Sequence, residues 1–539
     1  MRKKVSVTVL LALVVSFFSF GGAFTTYADE KTPDDEFRVG LEAGYAPFNW
    51  TQTTDENGAV PIYGQENSAY AGGYDVQIAK KVAEGLDKEL VIVKTEWDGL
   101  APALESGKID AIIAGMSPTA ERKKEIDFTD PYYESQLVVV TRSDSEYADA
   151  TSLEDFTGAK LTAQLNTFHY SVIDQIPDVQ KEQAQKSFSS MRAALSSGVI
   201  DGYVSERPEG VTAEAVNPDF KMVEFPEGQG FETNDEDVQV AVGMRKGDSD
   251  VAKVNEILAS ISADERVSMM DQAIEDQPAS TEKTEEDGLM HDFEVILKDY
   301  GTLFLRGAGM TLFLALVGTV IGTSIGLLIG VFRTIPTADN QVSRFFQKLA
   351  NSLLSIYIEI FRGTPMMVQA MVIYYGLAMA FQIDLNRTLA AVIIVSLNTG
   401  AYMSEIVRGG IFAVDAGQFE AAQAIGMTHR QTMSKVVIPQ VLRNILPATG
   451  NEFVINIKDT AVLSVISVSD LFFQGTSAAG TNFQFFQTFT IIGIMYLIMT
   501  FTVTRILRRV EKKLDGPTAY AKIEANDEVT TEVNNLSEK

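Results

Sequence analysis

Arg122 and Glu206 are the two charged residues whose surroundings suggest a shared task. Leu104-Glu-Ser-Gly-Lys-Ile-Asp110 precedes the first, and Leu195-Ser-Ser-Gly-Val-Ile-Asp201 precedes the second. Each reads as a helix closed by glycine and followed by a strand, Ala111-Ile-Ile-Ala114 in one case and Gly202-Tyr-Val204 in the other. They are matching positions in two similar lobes. Ligands of open α/β sheets bind beyond the carboxyl ends of strands. Beyond the first strand lies Gly115-Met-Ser-Pro-Thr-Ala-Glu-Arg122, and beyond the second Ser205-Glu206. One lobe offers a guanidinium, the Ser117 hydroxyl and backbone N–H groups; the other offers a carboxylate. Facing each other across a cleft, they suit the two poles of a zwitterion. Arginine grips a carboxylate bidentately, and each charged hydrogen bond contributes roughly 1.5–3 kcal/mol.

Composition removes other chemistries. The 539 residues carry 44 Lys+Arg against 72 Asp+Glu, a net charge of −28. A nucleic-acid binder needs the opposite balance to displace counterions from phosphate. No cysteine is present, which excludes disulfides, thiolate nucleophiles, cysteine–metal sites and a cysteine-anchored lipid. The three histidines, His169, His291 and His429, lie too far apart in sequence to suggest a catalytic or metal cluster. No Gly-x-x-x-x-Gly-Lys-Ser/Thr loop occurs, so the chain has no such cradle for ATP phosphates. No bound cofactor, metal or enzymatic activity is expected.

The chain divides by hydropathy. Residues 1–28 form a basic, apolar, small-residue sequence that reads as a secretory signal ending at Ala28. Residues 35–276 alternate β-branched runs with helical stripes, such as Ile78, Ala79, Val82, Ala83 and Leu86, and predict an α/β domain. Residues 277–292 are acidic and turn-prone, a flexible linker. Residues 293–515 are a membrane half with about five spans, placed at 307–331, 366–382, 388–407, 450–472 and 489–507. Gly318, Gly322, Gly326 and Gly330 put one small face on the first span. Clusters at Arg333 to Lys348, Arg430 to Arg443 and Arg505 to Lys513 set these loops and the carboxyl terminus inside, with the α/β domain outside. Glu405 and Glu452 either line a polar path or pair with neighbours such as Arg408. The loop 408–447 predicts a helix, a glycine break, a second helix and a proline stop at Pro439. Residues 516–539 are polar and expected to be disordered.

The α/β half resembles the extracytoplasmic solute-binding proteins for polar amino acids. The matching stretches are Gly44-Tyr-Ala-Pro-Phe48, Gly73-Tyr-Asp-Val76, Trp97-Asp-Gly-Leu-Ala-Pro-Ala-Leu104, Ser106-Gly-Lys-Ile-Asp110 and the run from Glu121 to Tyr133. The resemblance implies a two-lobed flytrap with hinge strands at 136–142 and 237–244. It implies that Arg122, Ser117 and Gly115 hold the ligand α-carboxylate, helped by Gln164 and Thr167 of the second lobe. Glu206 stands where the family places an acid for the α-ammonium. Tyr45 and Trp97 stand where rings sandwich the side chain, and Glu42 where an acid reads its tip. Glu42 with two aromatic faces suits Lys, Arg or His, with Gln or Asn close behind. Phe168 replaces a customary glycine, and 51–68 reads as an insertion expected at the cleft mouth.

The membrane half resembles the permeases of ABC importers for polar amino acids. Glu420-Ala-Ala-Gln-Ala-Ile-Gly426 with Val436-Val-Ile-Pro439 matches their coupling loop, and two further stretches match the amino acid branch: Phe361-Arg-Gly-Thr-Pro-Met-Met-Val-Gln369 and Tyr402-Met-Ser-Glu-Ile-Val-Arg-Gly-Gly410. The resemblance implies that Glu420, Ala421, Ala422 and Gly426 dock on a separate ATPase subunit, and that two permease domains pair, as a homodimer or with a related permease. The expectation is a fused binding protein and permease in the plasma membrane, importing free polar amino acids. A flytrap-gated channel is the rival, but it would place spans inside the flytrap sequence, whereas here all spans follow it.

Overall fold

The structure, a computed structural model, describes residues 35–65, 68–277, 289–383, 385–482 and 484–515. The signal segment 1–28, most of the linker 277–292 and the tail 516–539 lie outside the described residues.

Two five-stranded sheets build the first half. The first runs, in spatial order, Glu89–Lys94, Glu36–Leu41, Ala111–Ile112, Gln239–Met244, Asp127–Glu134. The second runs Gln180–Lys181, Lys160–Thr162, Gly202–Glu206, Leu137–Arg142, Phe220–Val223. In each, the first three strands are parallel and the last two join antiparallel. The repeated sequence pattern occupies the same middle place in both. Asp110 Oδ2 accepts from the Arg38 N–H at 3.0 Å, and Asp201 Oδ2 accepts from the Lys160 N–H at 2.9 Å. A third, four-stranded sheet, 44–45, 49–52, 70–72 and 60–61, lies beside the first lobe. The helix Tyr74–Leu86 buries the apolar stripe expected of it.

The chain crosses between lobes at 134–137 and again between 223 and 239. The expected hinge strands 136–142 and 237–244 are therefore sheet members, one in each lobe, and the crossings sit at their starts. There Ser135 N–H donates to Val238 O at 3.0 Å, so the crossings brace each other.

Among the described residues of the second half, three helices are long and apolar enough to cross a membrane, or up to five spans if each bent pair counts as one. The first helix runs Leu289–Arg333, longer than predicted. Its glycines abut Arg387–Phe412: a Cβ at Gly322 would stand 2.6 Å from Thr399 Cβ, and one at Gly330 2.6 Å from Val407 Cγ1. Two elements differ from expectation. An amphipathic helix Gln341–Gly363 precedes Met366–Phe381 at a 114° bend. Pro439 does not end a helix: it lies in the first turn of Ile438–Asp459, after a π-helical turn Met433–Val437. The helical turns from His429 run on into it, and the wider π turn just before accommodates the ring and its missing N–H. The weak span at 450–472 resolves into that helix, a 3₁₀ stretch Thr460–Ile466, and then Leu471–Asn482 across a 57° bend.

Gly322→Ala is expected to lower the stability of the full chain in detergent by about 1–3 kcal/mol, since overpacking outweighs the gain in helix propensity. Gly309→Ala, with open space around it, is the control and does not destabilise. Thermal unfolding of the two variants checks this.

Candidate functional site

The site is assembled from strand ends and the loops that follow them. Gly115 has φ +65°, and a Cβ there would lie 2.7 Å from Tyr45 Cε1. Only glycine lets that ring lie against the loop. Tyr132 hydroxyl donates to buried Asp75 at 2.6 Å and accepts from the Gly115 N–H at 3.4 Å, which fixes the loop. The loop delivers buried Ser117 and then half-buried Arg122.

Hydrogen bonds join the lobes across the cleft. The Arg122 guanidinium donates to Ser117 O of its own lobe at 3.0 Å and to Asn166 O of the other at 2.9 Å. Its charge lies 5.2 Å from the Trp97 ring centre. Burial lowers the guanidinium to about 10, against the pull of Glu206, so it stays charged at neutral pH. Tyr45 hydroxyl donates to Glu206 Oε2 at 3.2 Å. Glu206 is 1% exposed, and its Oε1 has no hydrogen-bond partner. Asn166 Nδ2 also donates to Asp98 at 2.8 Å.

Tyr45, Trp97, Gly115, Ser117, Arg122, Gln164 and Thr167 thus line one cavity. Its volume is about 10 Å³, room for a single water. The expected ligand-sized gap between Arg122 and Glu206 is not open in this arrangement. The physical reason is that cross-cleft hydrogen bonds and ring stacking fill it. Tyr45 stacks on Phe188 at 4.4 Å rather than facing Trp97 across a space. Glu206 joins the cavity wall through Tyr45.

Glu42 sits at the far corner. Gln164 Nε2 donates to its Oε2 at 3.3 Å. Burial first, then the neighbouring Glu96 charge, raises the Glu42 carboxyl to about 8. Lys94 stands in the same small cavity as Glu42 and Glu96. Burial pushes its ammonium down, while the two carboxylates pull it up.

Two residues escaped sequence reading. Phe188 provides the ring that stacks on Tyr45. Buried His169 places Nε2 3.6 Å from Glu206 Oε1, and Phe168 stands beside it. A lone histidine gives no spacing signal; only the Phe-for-Gly departure at 168 marked this loop. The stretch 51–68, expected at the cleft mouth, instead meets the membrane half: Thr481 Oγ1 donates to Thr51 O, and Gln474 Nε2 to Gln65 Oε1, each at 2.8 Å.

In the membrane half, Glu420 and Ala421 are exposed on the helix Ala416–Ala424, and Ala422 is buried. Gly426 turns the chain at φ +77°. A core of Val407, Ile411, Met433 and Val437 supports this surface from below. Glu405 accepts from Arg333 and from Arg408, the latter at 2.7 Å. It is an ion-pair hub.

Comparison with known proteins places these two halves. Residues 37–273 match the bacterial extracellular solute-binding proteins, family 3. Residues 335–516 match the binding-protein-dependent transport system inner membrane component. The membrane half is 38% identical over 213 residues to the glutamine transport system permease protein of Escherichia coli (strain K12), covering 39% of this chain and 93% of the relative. It is 33% identical over 210 residues to the arginine transport system permease protein of Bacillus subtilis (strain 168), covering 39% of this chain and 91% of that one. The first half aligns with an ancestral arginine-binding protein bound to arginine at 30% identity, 45% of this chain, 97% of that chain and a TM-score of 0.35.

Tyr45→Phe leaves Glu206 buried with no hydrogen-bond donor, a cost of about 1–3 kcal/mol unless the cleft opens to admit water. Because the chain lacks cysteine, fluorophores placed by Glu84→Cys and Glu154→Cys report the lobe separation. Energy transfer is expected to fall in Tyr45→Phe; unchanged transfer would show that the Tyr45–Glu206 contact does not hold the cleft shut.

Proposed function

This chain belongs to the binding-protein-dependent transport permeases and carries a family 3 solute-binding domain ahead of its membrane half; from that premise we propose that it binds a free polar amino acid outside the cell and passes it through its own helices. The observation that carries the reading is that Arg122 of one lobe and Glu206 of the other each hold a hydrogen bond across the cleft, to Asn166 O and to the Tyr45 hydroxyl. Each now leans on a protein group of the kind an amino acid would replace. The guanidinium uses carbonyl oxygens where an α-carboxylate would sit. Glu206 uses a phenol where an α-ammonium would sit, and keeps Oε1 open for a second donor. Binding exchanges these contacts for the ligand's own, which are charged and stronger. Ser117 and the Gly115 and Thr167 loops complete the carboxylate end, with Tyr45 and Trp97 along the side chain.

The side chain is read at Glu42, where a carboxamide fits best. A neutral carboxylic acid donates to the amide oxygen and accepts from its N–H, and burial keeps this acid neutral to about pH 8. Lys94 beside it supplies a cation already, which works against a second one from the ligand. Glutamine is the ligand proposed, in line with what the 38% relative is named for. A basic amino acid is the second reading, favoured by Glu96 and Asp98 near Glu42 and by the name of the 33% relative.

The membrane half then works as a pair of permease domains, a homodimer or a pairing with a related chain. A separate ATPase subunit docks at Glu420, Ala421, Ala422 and Gly426 on the cytoplasmic side and supplies the ATP chemistry. The binding domain faces outward. Ligand closes the flytrap by population shift, and ATP-driven closure of the ATPases turns the helices.

Calorimetry on the full chain in nanodiscs, with each of the twenty amino acids, tests this. Glutamine is expected to bind most tightly. Arg122→Ala is expected to weaken every ligand about 100-fold or more, because it removes two charged hydrogen bonds. Wild-type affinity in that variant would overturn the carboxylate assignment. Glutamine affinity should fall as pH rises through about 8, where Glu42 loses the proton it donates, and Glu42→Gln should flatten that profile. Affinity that rises with pH, for a basic ligand, would favour the second reading.

A further inference from the structure

A buried lysine joins three parts of the molecule that must move relative to one another. Lys94, 5% exposed, ends a strand of the first lobe. Its ammonium donates to Thr51 Oγ1 at 2.8 Å in that lobe and to Ser477 Oγ in the membrane half. It also lies 5.1 Å from the centre of the Phe473 ring. The cavity it shares is walled by Glu42 and Glu96 of the first lobe, Ser187 and Ser189 of the second, and Thr476 and Gly480 of the membrane half. Ser477 belongs to the helix Leu471–Asn482, whose small residues Ser477, Ala478, Ala479 and Gly480 are all buried. A Cβ on Gly480 would stand 3.3 Å from Gly44 Cα, so backbone meets backbone there.

We infer that Lys94 is the positioning residue through which an occupied cleft fastens the flytrap to the permease helix Leu471–Asn482. The inference rests on the proposed reading of Glu42 as the group that meets the ligand side chain. An ammonium has three N–H donors and no acceptor. Two acceptors that matter compete for it: the Glu42 carboxyl, which also faces the ligand, and Ser477, which belongs to the permease. With the cleft open, Gln164 of the second lobe withdraws from Glu42, which then draws the ammonium inward, and Ser477 loses its donor. Closure, which a ligand seated on Glu42 favours, returns the Gln164 amide to that carboxyl and leaves the ammonium to Thr51 and Ser477. Occupancy is thus converted into one charged hydrogen bond to the permease, separate from the Lys108 contact with Leu385 O and the Tyr374 ring elsewhere in the same interface. The coupling is reciprocal, so docking also favours the occupied cleft.

The absence of cysteine allows a clean test on the full chain in nanodiscs. Gln65→Cys with Gln474→Cys sets one thiol on each side of the interface, away from the ligand cleft, and a short bis-maleimide joins them when the domain is docked. The rate of joining is measured with and without saturating glutamine, and calorimetry follows glutamine on the same particles. Glutamine is expected to speed joining about fivefold or more. Lys94→Met and Ser477→Ala, each in that background, are expected to remove the response, Lys94→Arg to keep part of it, and the Ser477→Ala particles still to bind glutamine. A response that survives Ser477→Ala or Lys94→Met, or no response in the starting pair, overturns the inference. If Lys94→Met does not fold, Ser477→Ala decides alone. If calorimetry shows no heat with glutamine in the starting pair, the glutamine reading has failed, and joining is measured with the amino acid of the twenty that does bind.

Discussion

A charge moved out of water must be met by a partner of suitable geometry, and this requirement governs the cleft. Arg122 stands in one lobe and Glu206 in the other. When the lobes approach, both lose solvent. The closed form answers with Asn166 O and Ser117 O for the guanidinium and the Tyr45 hydroxyl for the carboxylate. These substitutes are adequate and incomplete, since Glu206 Oε1 is buried without a hydrogen bond. An amino acid zwitterion completes both ends at once. Selectivity for the backbone of the ligand follows from electrostatics, before any side chain is read.

The same logic extends toward the membrane. Glu42, Lys94 and Ser477 form a short line from the cleft to the permease. Polar contacts at Thr51 and Gln65 surround it, and glycine meets glycine at Gly44 and Gly480. Small side chains let the two halves approach closely, so a single ammonium can reach acceptors on both. Deeper in the membrane half, another close approach serves a different end. The glycines from Gly318 to Gly330 lock Leu289–Arg333 against Arg387–Phe412, a rigid pair behind the turn that carries Glu420 and Gly426.

Much of this was legible in the sequence because it depends on local rules. The repeated Leu-to-Asp pattern predicted two lobes, and Asp110 and Asp201 hold equivalent backbone N–H groups in the two sheets. Apolar length marked the principal spans. What escaped depends on long-range contact or on competing local signals. Gln341–Gly363 mixes Arg344, Lys348 and Glu359 with its apolar face, so it reads weakly as a span. Pro439 normally predicts a stop, yet the π-helical turn before it lets the chain continue. Lys94 and Ser477 are 383 positions apart, and no pattern in either neighbourhood points to the other. The stretch 51–68 looked like a lip on the cleft because its true neighbour, Leu471–Asn482, belongs to another part of the chain. The tightness of the cleft was equally hidden, since Phe188 and His169 carry no spacing signal.

The central claim is that an amino acid displaces the protein's own cross-cleft contacts. Electron cryomicroscopy of the full chain in nanodiscs, with and without saturating glutamine, tests it most directly. The account predicts ligand density between Arg122 and Glu206, with the Arg122–Asn166 and Tyr45–Glu206 hydrogen bonds broken and the ligand amide on Glu42. Intact cross-cleft contacts with the ligand bound elsewhere on the chain would contradict it.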